Sequence, residues 1–390
     1  MEYILQLILL ILIAKLLGEV VKRVGLHPIV TDILTGIVLG PFLLGIVKPS
    51  IELKALADFG LILLMLYTGL TSDFKAISGK SKVAILIGMS GAFTTIALTF
   101  TACLILGLPL IIAFIVSIAL SNTATETLAA ILSKEKVDKE ANTILIGASF
   151  VDDILAVYLI NLIACGIEFK FEDILYLTIK MLLFIFIVIK MSGFIVRKYW
   201  KYLYALFSDT PRTLIFSLII AFTLAFISRE IGLSEVVGAY LGGLMVSRIR
   251  EVHDPLLINV IRLSSLVSEV RFMLETVFTT LFFIYVGLLF NPDIKEISVT
   301  LTIVLVIVAF LGKFIGCFVP LILMGYGRRL ALIVGIGMES RGALETAILR
   351  FALENKMIST EIYATIIVVL LTTSIITPIL FRYVNKKFTV

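Results

Sequence analysis

Apolar residues dominate this chain in runs of about twenty, separated by short polar clusters. A helix needs about 20 apolar residues to cross a hydrocarbon core of roughly 30 Å. Runs of that length recur from end to end. They predict thirteen hydrophobic helices, at roughly 3–22, 29–47, 54–71, 82–107, 109–133, 141–166, 173–196, 212–231, 234–248, 273–290, 297–324, 328–353 and 360–382. The first run has no basic stretch ahead of it and no small-residue cleavage site, so it reads as a retained helix and not a signal peptide. The links between helices are short. The longest, 249–272, IREVHDPLLINVIRLSSLVSEVRF, fits an amphipathic segment lying at the interface.

Composition agrees with that pattern. The 390 residues are 60% hydrophobic and 16% charged, with a mean hydropathy of +1.13. Lipid is therefore the expected solvent, and the expected fold is an all-α polytopic membrane protein. Links after odd-numbered helices carry most of the lysine and arginine, among them Lys22, Arg23, Lys75, Lys80, Lys134, Lys139, Arg197, Lys198, Arg328 and Arg329. The positive-inside rule then places the N-terminus outside and the C-terminus, with Arg382, Lys386 and Lys387, in the cytoplasm of a cell whose plasma membrane the chain spans. This asymmetry accounts for the net charge of +5 without a nucleic-acid partner. Cys103, Cys165 and Cys317 sit in apolar runs at spacings that suit packing rather than metal or redox chemistry. His27 and His253 are isolated, and no phosphate loop or nucleophile–base constellation is present, which argues against an enzyme.

Short motifs repeat in order. GIVLG (Gly36 to Gly40) in helix two returns as GAYLG (Gly238 to Gly242) in helix nine. LLMLYTGL, ending near Gly69 in helix three, returns as LFFIYVGL around Gly287 in helix ten. The polar stretch SNTATET of helix five is matched by MESRGALET of helix twelve. An offset of seven helices is odd, so the second copy is inverted. The expected organisation is one membrane unit with inverted six-helix repeats at about 3–166 and 212–382, joined by a linker helix at 173–196. Such repeats mark secondary transporters, whose sites lie near mid-membrane where paired helices are interrupted. Helices five and twelve are that pair.

The candidate chemistry falls at the same depth. Helix five carries Ser121, Asn122, Thr123, Thr125, Glu126 and Thr127 at its centre. Helix twelve is interrupted by Gly335, Gly337, Glu339, Ser340, Arg341, Gly342 and Glu345. Half-helix ends meeting there would offer carbonyls to a cation, and their opposed dipoles call for charged neighbours. Helix six carries GASFVDDILAV, with Asp152 and Asp153 near mid-depth. Intramembrane acids are costly and mark ion or proton pathways. Adjacent acids point about 100° apart on a helix and cannot share one partner. Ser149 lies four residues before Asp153 on its face and is a candidate extra ligand. The deep base is Lys313 in helix eleven, whereas Lys15, Lys180, Lys190 and Arg350 lie nearer helix ends and can snorkel. The expected assignment pairs Lys313 with Asp152 and leaves Asp153 as the carboxylate for which a hard monovalent cation and a proton compete. Glu126, Glu339 and Glu345 are candidates to balance Arg341.

With VDD on helix six, SNTATET on helix five, GKFIG on helix eleven and SRG on helix twelve, the sequence resembles the cation/proton antiporter superfamily. It is most similar to the electrogenic two-aspartate sodium/proton antiporters of the NapA type. The resemblance implies an NhaA-like fold, crossed discontinuous helices, a homodimer with interleaved dimerisation and core subdomains, and exchange of Na+ (or Li+) for H+ in pH homeostasis, with no cofactor. It also implies Na+ at Asp153, with the backbone near Thr123 as further ligand. Ser340 and Ala343 stand where the family commonly has proline before, and glutamate after, the Arg-Gly pair. Two alternatives remain at this stage: a K+/H+ antiporter of the glutathione-gated (Kef) type and a Na+-coupled organic-anion symporter. The first usually lacks the first aspartate and the lysine and carries a nucleotide-binding domain, for which a chain ending at Val390 leaves little room.

Overall fold

The computed structural model describes residues 2–24, 26–71, 76–135, 137–164, 171–198, 210–247, 277–293 and 295–387, with 267, 268 and 272. Most of the expected interfacial segment 249–272 thus lies outside the described residues. In chain order the α-helices are α1 (Glu2–Val24), α2 (Ile29–Leu39), α3 (Ile51–Thr71), α4 (Ala76–Ile105), α5 (Leu110–Ala119), α6 (Thr125–Lys134), α7 (Lys139–Ala164) and α8 (Phe171–Lys198). They continue with α9 (Thr210–Glu230), α10 (Glu235–Ser247), α11 (Thr279–Leu288), α12 (Val299–Leu323), α13 (Arg328–Gly337), α14 (Ala343–Glu354) and α15 (Thr360–Lys387). Among the described residues, seven helices are long and apolar enough to cross a membrane. This makes the chain a polytopic helical membrane protein, though it does not fix the figure of thirteen crossings.

Local chemistry sets several boundaries. Pro28 and Pro109 precede α2 and α5, where a missing N–H costs nothing. Ser298 caps α12 by accepting the Leu301 N–H at 3.2 Å. Helix α2 stops at Leu39 although the apolar run continues to residue 47; Gly40 is extended there and the chain turns. The run at 109–133 is two helices, α5 and α6, and the run at 328–353 is likewise α13 and α14.

The helices form two compact units: Met1–Ser50, Phe74–Ala156 and Phe283–Val390 in one, Ile51–Asp73 and Val157–Phe282 in the other. Lipid offers no hydrophobic drive between helices, so close approach depends on small residues. In the second unit, an added Cβ at Gly69 would sit 2.2 Å from the Tyr240 carbonyl, and one at Gly243 would sit 2.2 Å from the Leu66 carbonyl. Helices α3 and α10 therefore touch backbone to backbone, and Phe59 stacks on Phe222 of α9 at 5.1 Å. In the first unit α2 and α11 make the same contact, with Gly36 against the Ile284 carbonyl and Gly287 against the Ile33 carbonyl. One hydrophobic cluster of the first unit joins Ile87, Leu145, Ala148, Cys317, Ile333, Met338 and Phe381, from α4, α7, α12, α13 and α15 and the link after α13. Cys103 and Cys317 are buried and unbridged.

One reading is corrected here. Arg350 does not snorkel: it is 3% exposed, ion-paired with Glu354 at 3.0 Å and stacked over the Tyr285 ring at 4.6 Å. Position along a helix suggested an interfacial end, but helix packing decided the environment.

Candidate functional site

The first unit brings the two interrupted helices against each other. Between α5 and α6 the chain runs extended through Ala124, and between α13 and α14 it turns at Met338 and runs on to Gly342. The breaks satisfy each other's backbone: Ala124 N–H donates to the Ser340 carbonyl at 2.8 Å, and Thr123 Oγ1 donates to the Met338 carbonyl at 2.7 Å. Thr127 reaches the Arg341 carbonyl at 3.4 Å. Non-helical backbone is tolerated inside a membrane only when covered in this way or lining a cavity.

Each half-helix end leaves unpaired carbonyls or N–H groups with partial charge. Bases occupy the carbonyl ends. Lys313 Nζ donates to the Ser121 carbonyl at 2.6 Å, and Arg341 donates to the Asn122 carbonyl, both just past α5. Acids occupy the N–H ends. Glu345 Oε2 accepts the Gly342 N–H at 3.0 Å at the start of α14. Asp153 Oδ2 accepts from Thr125 Oγ1, the first residue of α6, at 2.6 Å. Each such placement contributes about 0.3–1 kcal/mol, and up to ~2 kcal/mol when buried.

Asp152 and Lys313 form an ion pair with both side chains fully shielded. Helix α4 holds the two helices that carry them. An added Cβ at Gly88 would sit 2.8 Å from the Ala148 carbonyl of α7. One at Gly91 would sit 2.6 Å from Cys317 Sγ and 3.5 Å from the Lys313 side chain. Ser90 Oγ donates to the Gly316 carbonyl at 2.7 Å, fixing α12 from the same side. Asp153, one residue on, is 2% exposed and turns away from the lysine to Thr125.

The remaining candidates divide. Glu339 and Arg341 are buried and face each other at 3.6 Å. Ser149 is buried, and its hydroxyl donates to its own helix at the Ile146 carbonyl, 3.1 Å away. Glu126 lies in the first turn of α6, and its side chain is outside those described. Among the described residues, no cluster of three His, Cys, Asp or Glu could hold a resident metal ion. The oxygen donors gathered here, a carboxylate, a hydroxyl and main-chain carbonyls, suit a hard cation passing through.

The family model for the transmembrane sodium/hydrogen exchanger matches residues 8–385. The chain belongs to the sodium/hydrogen exchanger family. The Na(+)/H(+) antiporter of Enterococcus hirae is 28% identical, with 99% of each chain covered. The Na(+)/H(+)-K(+) antiporter GerN of Bacillus cereus is 25% identical, over 98% of this chain and 96% of that one. Among solved structures, the sodium proton antiporter MjNhaP1 of Methanocaldococcus jannaschii superposes with a TM-score of 0.72 at 17% identity. That match covers 97% of this exchanger and 96% of the other chain and concerns the fold.

Sequence reasoning missed parts of the candidate site. Ser374 and Thr377 of α15 reach the carbonyls of Arg341 (3.4 Å) and Glu339 (3.3 Å), bracing the second break. Their signal was available: two hydroxyls three apart share one face of a helix. Gly88 and Gly91 gave no such signal, because a glycine in an apolar run reads the same whether it faces lipid or a neighbour's backbone.

Proposed function

We propose that this exchanger moves Na+ (or Li+) inward or outward against H+ by alternating access, with Asp153 as the carboxylate that each ion occupies in turn. The observation that carries the reading is the division of labour in the aspartate pair. Asp152 is ion-paired with Lys313, whereas Asp153 turns to the other side and accepts from the neutral hydroxyl of Thr125 at 2.6 Å. A carboxylate with a neutral donor keeps its affinity for an incoming cation or proton, whereas one tied to an ammonium does not. When a cation enters, Asp153, Thr125 and the carbonyls of the broken stretch around Thr123 replace its water; Ser149 would join by turning from Ile146. A proton arriving at Asp153 removes the charge that holds the cation and releases it. No covalent step is needed.

Several finer points belong to the same proposal. The Asp152–Lys313 pair gives the cycle a second ionisable site, which supports electrogenic exchange of the two-aspartate, CPA2 type. Helix contacts support the inverted repeat. Under the motif offsets α2 matches α10 and α3 matches α11, so the α2–α11 and α3–α10 glycine crossings are equivalent, and α4 packs on its own counterpart α12. The loop charges support a plasma-membrane location with the N-terminus outside, and the family resemblance supports a homodimer and a role in pH homeostasis. K+ is the second reading, because the relative GerN carries K+ in its name. The test is proton movement in proteoliposomes on adding Na+, Li+ or K+. A Na+ or Li+ response supports the proposal and a K+-only response supports the second reading. A folded protein without any cation response overturns both and returns the organic-anion symporter to consideration.

A further inference from the structure

The crossing holds more acid than cation exchange at Asp153 uses. Among the described side chains, Asp152, Asp153, Glu339 and Glu345 are buried there, each 2% exposed or less, facing two buried bases, Lys313 and Arg341. Lys313 is taken by Asp152. A transported cation or a proton neutralises Asp153. Arg341 faces Glu339 at 3.6 Å and acts on Glu345 electrostatically, so two carboxyls share one guanidinium and one negative charge remains. An isolated buried carboxylate is costly enough that it takes up a proton instead.

Geometry says which carboxyl holds it. Glu345 lies in the first turn of α14 and accepts the Gly342 N–H at 3.0 Å, at the positive end of that helix. Both features stabilise negative charge on Glu345 relative to Glu339. Glu339 sits two residues beyond the end of α13, at the negative end of a helix dipole. Neither of its oxygens has a hydrogen-bond donor at full geometry, and Arg341 Nη2 stays 3.6 Å away. The guanidinium donates instead to the Asn122 carbonyl, beside the stretch that leads through Thr123 to Thr125 and Asp153.

Resting on the exchange reading above, we propose that Glu339 is a second proton-binding carboxyl of this exchanger, a positioning residue whose protonation is relayed to the cation site through Arg341 and the Asn122 carbonyl. With Glu339 protonated, Arg341 is balanced by Glu345 and free to hold Asn122. When the proton leaves to water, the new carboxylate draws Arg341 from Asn122 and loosens the α5–α6 break where the cation binds. The charged and titratable groups facing Glu339 are Arg341 and Glu345, with Lys313 and Cys317 of α12; Asp152 of α7 acts behind Lys313, and Thr377 of α15 holds the Glu339 carbonyl.

The test combines spectroscopy with transport. Infrared difference spectra of the wild type, with and without carbon-13-labelled glutamate, should show a protonated glutamate C=O band at neutral pH that vanishes in Glu339→Gln and persists in Glu345→Gln and Glu126→Gln. In proteoliposomes, the wild-type apparent Km for Na+ should shift about fivefold or more across an alkaline step that Glu339→Gln lacks, the size expected of coupled sites. Glu339→Gln, which keeps the shape of the neutral acid, should still exchange, and Glu339→Asp should restore the step at a displaced pH. No protonated-glutamate band in the labelled wild type overturns the proposal, and that measurement needs no variant to fold. Loss of the band in Glu345→Gln or Glu126→Gln instead, or a Glu339→Gln profile superimposable on the wild type, also overturns it. Absence of Na+-driven proton movement in the wild type would sink the exchange reading separately, leaving the infrared result to stand by itself.

Discussion

Replacing Lys313 should cost more than any surface argument suggests, and the loss should be recovered in part by a second substitution. Lys313 and Asp152 have fully shielded side chains and form an ion pair, and Lys313 Nζ also satisfies the Ser121 carbonyl at 2.6 Å. Removing one partner of such a pair leaves the other charge buried, at about 3–5 kcal/mol. The orphaned carbonyl contributes about 1–3 kcal/mol to the same loss. Lys313→Met and Asp152→Asn should therefore each lower the thermal midpoint strongly. The double variant should lose much less than the two together, because no unpaired charge remains. The assay is a double-mutant cycle on midpoints of detergent-purified protein, with a coupling of about 3 kcal/mol, at the top of the usual range for contacting residues. Strictly additive losses would refute the reasoning and make the ion pair incidental.

Other consequences are equally direct. Lys313→Gln should reduce charge moved per sodium ion more than it reduces exchange, measured as current on a solid-supported membrane; unchanged current per Na+ would count against a second ionisable site. Thr125→Val removes the hydroxyl that meets Asp153 at 2.6 Å, and a lost bond to a charged group, about 1.5–3 kcal/mol, should raise the apparent Km for Na+ tenfold or more. Gly91→Ala should destabilise by about 1–3 kcal/mol through overpacking. Because the contact is with the Cys317 side chain at 2.6 Å, adding Cys317→Ala should restore most of it. Gly36→Ala should resist any such rescue, since its new Cβ would meet the Ile284 carbonyl at 2.1 Å.

Much of this was legible in the sequence, for reasons that differ by residue. Lipid makes the helical pattern plain, because a span must be apolar throughout and its exceptions stand out. Asp152, Asp153, Lys313 and the two polar breaks were visible for that reason. The breaks at 120–124 and 338–342 followed from hydroxyls, glycines and charges placed where a helix gains nothing from them. What escaped was direction. Sequence placed Ser149 and Asp153 on one face but could not foresee that Ser149 would bond to Ile146. Arg350 was misplaced for a related reason: depth along a helix says little about burial when Tyr285 and Glu354 close over the side chain. Which of Glu126, Glu339 and Glu345 lies against Arg341 also lay in three dimensions: Glu339 faces it at 3.6 Å, whereas Glu345 accepts the Gly342 N–H.

The central claim is that cation and proton compete for Asp153. Its most direct measurement is proton release on adding Na+ to purified protein in weakly buffered detergent, followed across pH and compared with Asp153→Asn. The account predicts protons released with Na+ bound, an apparent Na+ affinity that weakens about tenfold per pH unit on the acid side, and loss of both in the variant. Na+ binding that releases no proton, or release that survives in Asp153→Asn, would contradict it.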